Sequence, residues 1–110
     1  MASSEELADR IRAELAGRSD ISDRKMFGGT GFMLAGNLCA GAQRDGNLLL
    51  RIDPDSADEL TADPHANLMV QRGREMRGWL IVDAAAIEDD DAFHTWLERG
   101  VAYAGSLPPK

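Results

Sequence analysis

The sequence predicts an α+β domain, an antiparallel sheet of about five strands with N- and C-terminal helices packed on one face. Three observations carry this. Apolar residues recur at helical spacing at the two ends of the chain, short apolar runs separated by Gly-Asn and Asp-Gly pairs fill its middle, and 110 residues with 44% hydrophobic content make one core. A chain of this length buries about 60 to 70% of its extended surface. Residues 1–110 are therefore read as a single domain.

Ser3 and Glu6 form a capping box, and Leu7, Ile11 and Leu15 follow at helical spacing until Gly17. Short apolar runs then predict three antiparallel strands, Arg24 to Leu34, Leu38 to Gln43 and Leu48 to Ile52, turning at Gly36-Asn37 and Asp45-Gly46. Asp53-Pro54 caps a short helix over Asp55 to Ala62. Two more strands are expected at Leu68 to Gln71 and Gly78 to Val82, and a last helix at Asp89 to Ser106 buries Phe93, Trp96, Leu97, Val101 and Ala104.

Two-residue turns would set Gln43 opposite Leu48, Gly41 opposite Leu50, Cys39 opposite Ile52 and again opposite Leu34, and Phe32 opposite Gly41. One sheet face then collects Phe32, Leu34, Cys39, Leu48, Leu50 and Ile52 beneath the helices. The other collects Met33, Leu38, Ala40, Ala42, Leu49 and Arg51, which is too apolar for a surface meant for water alone. That second face is the expected protein interface, with Arg51 as its polar anchor, since a guanidinium among apolar neighbours needs a carboxylate or a partner.

Composition narrows the function classes. A formal charge of -7 weighs against non-specific nucleic-acid or anionic-membrane binding, and no apolar run approaches the length of a bilayer span, about 20 residues. One cysteine rules out an intrachain disulfide, and the polar, acidic start lacks a signal-peptide apolar stretch, so the cytoplasm is the expected compartment. Gly28-Gly29-Thr30-Gly31 lacks the lysine of a phosphate loop, and Leu34 stands where a dinucleotide fingerprint needs its third glycine. Asp53-x-Asp55 fits a helix cap better than a calcium loop. Asp90 and His94 could supply half a metal site, but acids at a helix start already complement its dipole. Cys39 falls mid-strand while His65 and His94 lie in a loop and on a helix, which does not assemble a nucleophile with its base. No catalytic residue, metal site or cofactor is assigned.

The remaining chemical signal is basic. Arg72, Arg74 and Arg77, joined by Arg24 and Lys25 if the first strand is adjacent and by the Gly28-Gly29 turn, would make a positive strip able to hold phosphate. Edge protection and ion pairing are the competing explanation for the same residues.

Arg24-Lys25-Met26-Phe27-Gly28-Gly29-Thr30-Gly31-Phe32, Leu48-Leu49-Leu50-Arg51-Ile52-Asp53, Gly73-Arg74-Glu75-Met76-Arg77-Gly78-Trp79, Trp96-Leu97-Glu98-Arg99 and Ser106-Leu107-Pro108-Pro109-Lys110 occur in that order. Together they resemble the N-terminal domain of the TfoX/Sxy family of competence regulators over nearly the whole chain. Glu75 stands where family members commonly have proline. The resemblance implies a secretion-chaperone-like α+β fold that self-associates, is not catalytic, and belongs to regulators of DNA-uptake genes whose fuller members carry a C-terminal domain. With the chain ending at Lys110, a stand-alone form of the N-terminal domain is expected. The function expected is that of a small non-catalytic regulatory or adaptor module acting by protein contact, with a transcription-regulatory protein and a second copy in a homodimer as partners. Membrane association is not expected and direct nucleic-acid binding is disfavoured. The alternative is binding of a phosphate-containing ligand or nucleic acid by the arginine strip.

Overall fold

Ser3 accepts a hydrogen bond on its hydroxyl from the Glu6 amide at 3.1 Å and so starts α1 (Ser4–Glu14), which buries Leu7 and Ile11. The computed structural model of the chain describes residues 3–26 and 28–110. Six strands follow α1: β1 (Ile21–Met26), β2 (Gly29–Leu34), β3 (Asn37–Ala42), β4 (Leu48–Arg51), β5 (Ala66–Gln71) and β6 (Arg74–Val82). Between β4 and β5 a 3-10 turn, capped by the Asp53 carboxylate on the Asp55 amide at 2.9 Å, leads into α2 (Ala57–Leu60). Asp89 caps α3 (Asp90–Gly105) by accepting from the Ala92 amide at 2.9 Å.

The sheet is antiparallel throughout, in the order β1-β2-β3-β4-β6-β5. It has one strand more than expected because the segment from Arg24 to Leu34 is a hairpin, divided at a turn through Gly28 at φ +78°. Phe27, in the middle of that segment, lies outside the described residues. The basic segment after Gln71 is likewise shorter as a connection than expected. Arg72 and Gly73, at φ +53° and +77°, make the whole turn, and Arg74 to Arg77 already belong to β6.

Both central turns differ by one residue from the expected pairing. The β2–β3 turn is built on Ala35 and Gly36, at φ +50° and +87°, so Leu34 faces Asn37. The C-terminal tail holds it there, with the Lys110 amide donating to the Ala35 carbonyl and the Asn37 amide nitrogen donating to the Pro108 carbonyl, both at 2.9 Å. The β3–β4 turn has three residues, Arg44 to Gly46. Gln43 and Asn47 are joined at 2.9 Å, and Gly46 sits at φ +87°, the left-handed position that closes a three-residue hairpin loop. As a result Ala40 faces Leu50, Gly41 faces Leu49 and Ala42 faces Leu48.

A bulge reconciles the two turns. Pairing passes from Met33 with Leu38 to Phe32 with Ala40, leaving Cys39 as the extra residue. Beyond it the pleat of β3 is inverted relative to expectation. Ala40 and Ala42 join Phe32, Cys39, Leu48, Leu50, Leu80 and Val82 in the core, under Leu7 and Ile11 of α1 and Phe93, Leu97 and Val101 of α3. Each large side chain buried there contributes about 1.5–3 kcal/mol. Gly41 does not face Phe32 as expected but lies on the far face opposite Gly31, and Phe32 faces Ala40. The parity of β4 is as expected, with Leu48 and Leu50 beneath the helices and Leu49 and Arg51 on the other side.

Candidate functional site

Opposite the helices the sheet presents a face whose floor is glycine. Gly31 and Gly41 pair across β2 and β3. A β-carbon at Gly31 would lie 2.6 Å from the Met26 sulfur and 3.1 Å from Leu38 Cδ1, and one at Gly41 would lie 3.7 Å from Leu49. The missing side chains leave a depression over which Met26, Leu38 and Leu49 fold. Met33 and Leu49 are each only 7% exposed although neither belongs to the core beneath the helices, so this face has a small apolar cluster of its own.

The face is concave. In the β5–β6 arm the pairing jumps from Leu68 with Leu80 to Met69 with Met76, so β6 carries extra residues that bend the arm. Met69 of β5 and Met26 of β1 lie on the two outermost strands, yet both line one cavity of about 40 Å³ over Gly31, Gly41 and Leu49. Pleat alternation from Met69 and Leu49 adds Met76, Trp79 and Ile81 to this side. Methionine suits such a surface, since its unbranched, polarizable side chain repacks at little cost.

Arg51 pairs with Trp79 in register and lies 5.3 Å from the centre of its ring. Sequence reasoning expected a carboxylate or a partner for Arg51; within the chain the indole takes that place. The expected interface residues thus divide: Met33, Leu38, Leu49 and Arg51 share the concave face, while Ala40 and Ala42 are in the core behind it. Missed were Met26, Gly31, Gly41, Met69, Met76 and Trp79. The methionines were the only signal for them, and it becomes readable only once both bulges are known.

The basic residues do not form one strip. Arg24 and Lys25 lie on β1, and β2, β3 and β4 stand between β1 and β6. Arg72 is in the β5–β6 turn. Arg77 is paired with Asp58 of α2 at 3.1 Å, on the other side from Arg74. An open depression of about 740 Å³ lies at the tip of that arm among Gln71, Arg72, Arg74, Glu75, Met76 and Arg77, but Glu75 brings a carboxylate to it. Gly28 abuts Arg44, whose Nε would lie 3.3 Å from a β-carbon there, and Gly29 packs on the Ala42 carbonyl of β3.

The other singled-out residues have local partners. Asp90 binds Arg10 at 3.1 Å, His94 Nδ1 is 3.1 Å from Glu14, and His65 Nδ1 is 3.6 Å from Asp83. Burial pushes the Cys39 thiol up to about 11, so at neutral pH it is a protonated group without solvent access rather than a nucleophile. No helix among the described residues is long and apolar enough to cross a membrane.

A family model, the TfoX N-terminal domain, matches residues 13–104, a stretch that includes all six strands and nearly all of α3. Comparison with curated proteins and with solved structures returned no match. With the match covering most of the chain and containing the whole curled sheet, this protein belongs to the TfoX N-terminal domain family.

Proposed function

We propose that the domain is a small non-catalytic regulatory module that works by protein contact, in the transcriptional control of competence to which its family resemblance points. The concave face is its contact surface. What carries this reading is the pairing of a methionine-lined hollow with Arg51 stacked on Trp79, both residues partly open to solvent, on the face that no helix among the described residues covers. Tryptophan and arginine are the residues most enriched where binding energy concentrates, and methionine fits surfaces that must adapt to a partner.

Replacing Trp79 by the photo-reactive p-benzoylphenylalanine, with exposed Ala102 on α3 replaced in a control, tests the reading in cells. Illumination should yield adducts heavier than the 11.9 kDa chain from position 79 and none from position 102. Equal yields from both positions, or none from position 79, would reject this face as the contact surface.

A further inference from the structure

The charge on the concave face is the reverse of the charge on the molecule. The chain carries a formal -7, yet only two carboxylates occur in its six strands, and both point away from this face. Asp23 pairs across the ladder with Phe32 and binds Arg12 of α1 at 2.6 Å, on the helix side. Glu75 alternates with Met76 and so lies behind it. The same alternation places Arg24, which faces Gly31, and Arg74, which faces Gln71, on the concave side with Arg51.

None of the three is neutralised within the chain. Arg10, Arg12, Arg18 and Arg77 each have a carboxylate within 4.0 Å, whereas Arg24, Arg51 and Arg74, like Arg44, Arg72 and Arg99 elsewhere on the molecule, have none among the described residues. Three guanidiniums without internal counter-charges therefore share the concave face with the methionine-lined hollow.

We infer that the occupant of this face is an acidic segment of another protein, carrying one bulky apolar side chain that parts Met26 and Met69 and sits over Gly31 and Gly41. The inference rests on the reading of the face as a contact surface and adds the chemistry of the partner. A second copy supplies this face with no strand carboxylate. Two-fold pairing would put Arg24, Arg51 and Arg74 of both copies into one interface without a strand counter-charge from either, whereas carboxylates of an acidic segment would meet each guanidinium as a charge-assisted hydrogen-bond partner. The small cavity, about 40 Å³, marks where the apolar anchor enters, and the two methionines supply the remaining space by changing rotamer.

The probe is a synthetic peptide of alternating glutamates and leucines around one phenylalanine. It is compared with a counterpart in which every glutamate is lysine, and each is titrated into the full chain labelled with ¹³C on its methionine methyls. The acidic peptide should shift the Met26 and Met69 methyl signals saturably and bind about tenfold more weakly when salt rises from about 0.05 to 0.5 M. It should also lose about tenfold or more in affinity to the double variant Arg24→Glu with Arg51→Glu, whose fold circular dichroism checks. Equal or tighter binding of the lysine peptide at the same methyls would overturn the acidic partner while leaving the contact surface standing. Methyl shifts that follow protein concentration alone would show a second copy on the face and overturn it as well. No shift with either peptide would overturn it too, and the cross-linking from position 79 would then judge the contact surface separately.

Discussion

Gly29→Ala should be the most damaging single-methyl change in the sheet, lowering stability by about 3 kcal/mol or more. A β-carbon at Gly29 would run into the Ala42 carbonyl oxygen and come within 3.0 Å of the Ala42 carbonyl carbon and 3.2 Å of Gln43 Cα. These are backbone atoms at the end of β3 and the start of its turn, held by the Ala42–Leu48 pair and the Gln43–Asn47 hydrogen bond, so they cannot turn aside as a side chain would. Relief requires β2 and β3 to separate at the Thr30–Ala42 pair, next to the hollow. Denaturant unfolding followed by far-ultraviolet circular dichroism measures the loss. Gly31→Ala is the internal contrast, because its nearest obstacle is the end of the Met26 side chain, which can swing away, and about 1 kcal/mol or less is expected. Equal effects at the two positions would contradict the assigned packing.

Gly100→Ala should also destabilise, by about 1–3 kcal/mol, although alanine is favoured over glycine inside a helix by about 1 kcal/mol. Gly100 lies in the middle of α3, where the helix passes over the bulge of β3. A methyl there would stand 2.5 Å from the Cys39 carbonyl oxygen and 3.0 Å from Leu50 Cδ2. Accepting it means lifting α3 from the sheet and opening the contacts around Leu97 and Val101. Gly17→Ala, with nothing within 4 Å of the new methyl, controls for the general effect of replacing glycine. Thermal unfolding should show a drop of about 4–8 °C for each kcal/mol lost at Gly100 and little change at Gly17. A stabilised Gly100→Ala would mean that α3 does not lie this close to the bulge.

Local chemistry was legible in the sequence and long-range closure was not. The caps at Ser3 and Asp53 could be read because each is satisfied within three residues, and the last helix was placed to within one residue of its Asp89 cap. The parity of β4 came out as expected even though the turn at Asp45-Gly46 from which it was derived has three residues instead of two. The register of β3 could not be read, since it depends on a turn clamped by the C-terminal tail and on a bulge where α3 approaches through Gly100, contacts between residues far apart in the chain. That one bulge moved Ala40 and Ala42 into the core and Gly41 out of it. The site was half legible for the same reason. Met33, Leu38, Leu49 and Arg51 follow from the central hairpins, but Met69 and Trp79 reach the hollow only through the bent β5–β6 arm. No signal in the sequence alone shows the three-residue offset of that arm. The expected arginine strip failed because pleat alternation divides its members, with Arg24 and Arg74 on the concave side, Lys25 and Arg77 behind it, and Arg72 in a turn.

β4 divides the molecule, with Leu50 against α3 and Leu49 under the two outer methionines. Nuclear Overhauser contacts from a methyl-labelled sample measure this directly. Cross-peaks are expected from the Leu50 methyls to the Gly100 α-protons, and from the Met26 and Met69 methyls to Leu49. Leu49 methyls in contact with α3, with Leu50 in contact with Met69 instead, would contradict it.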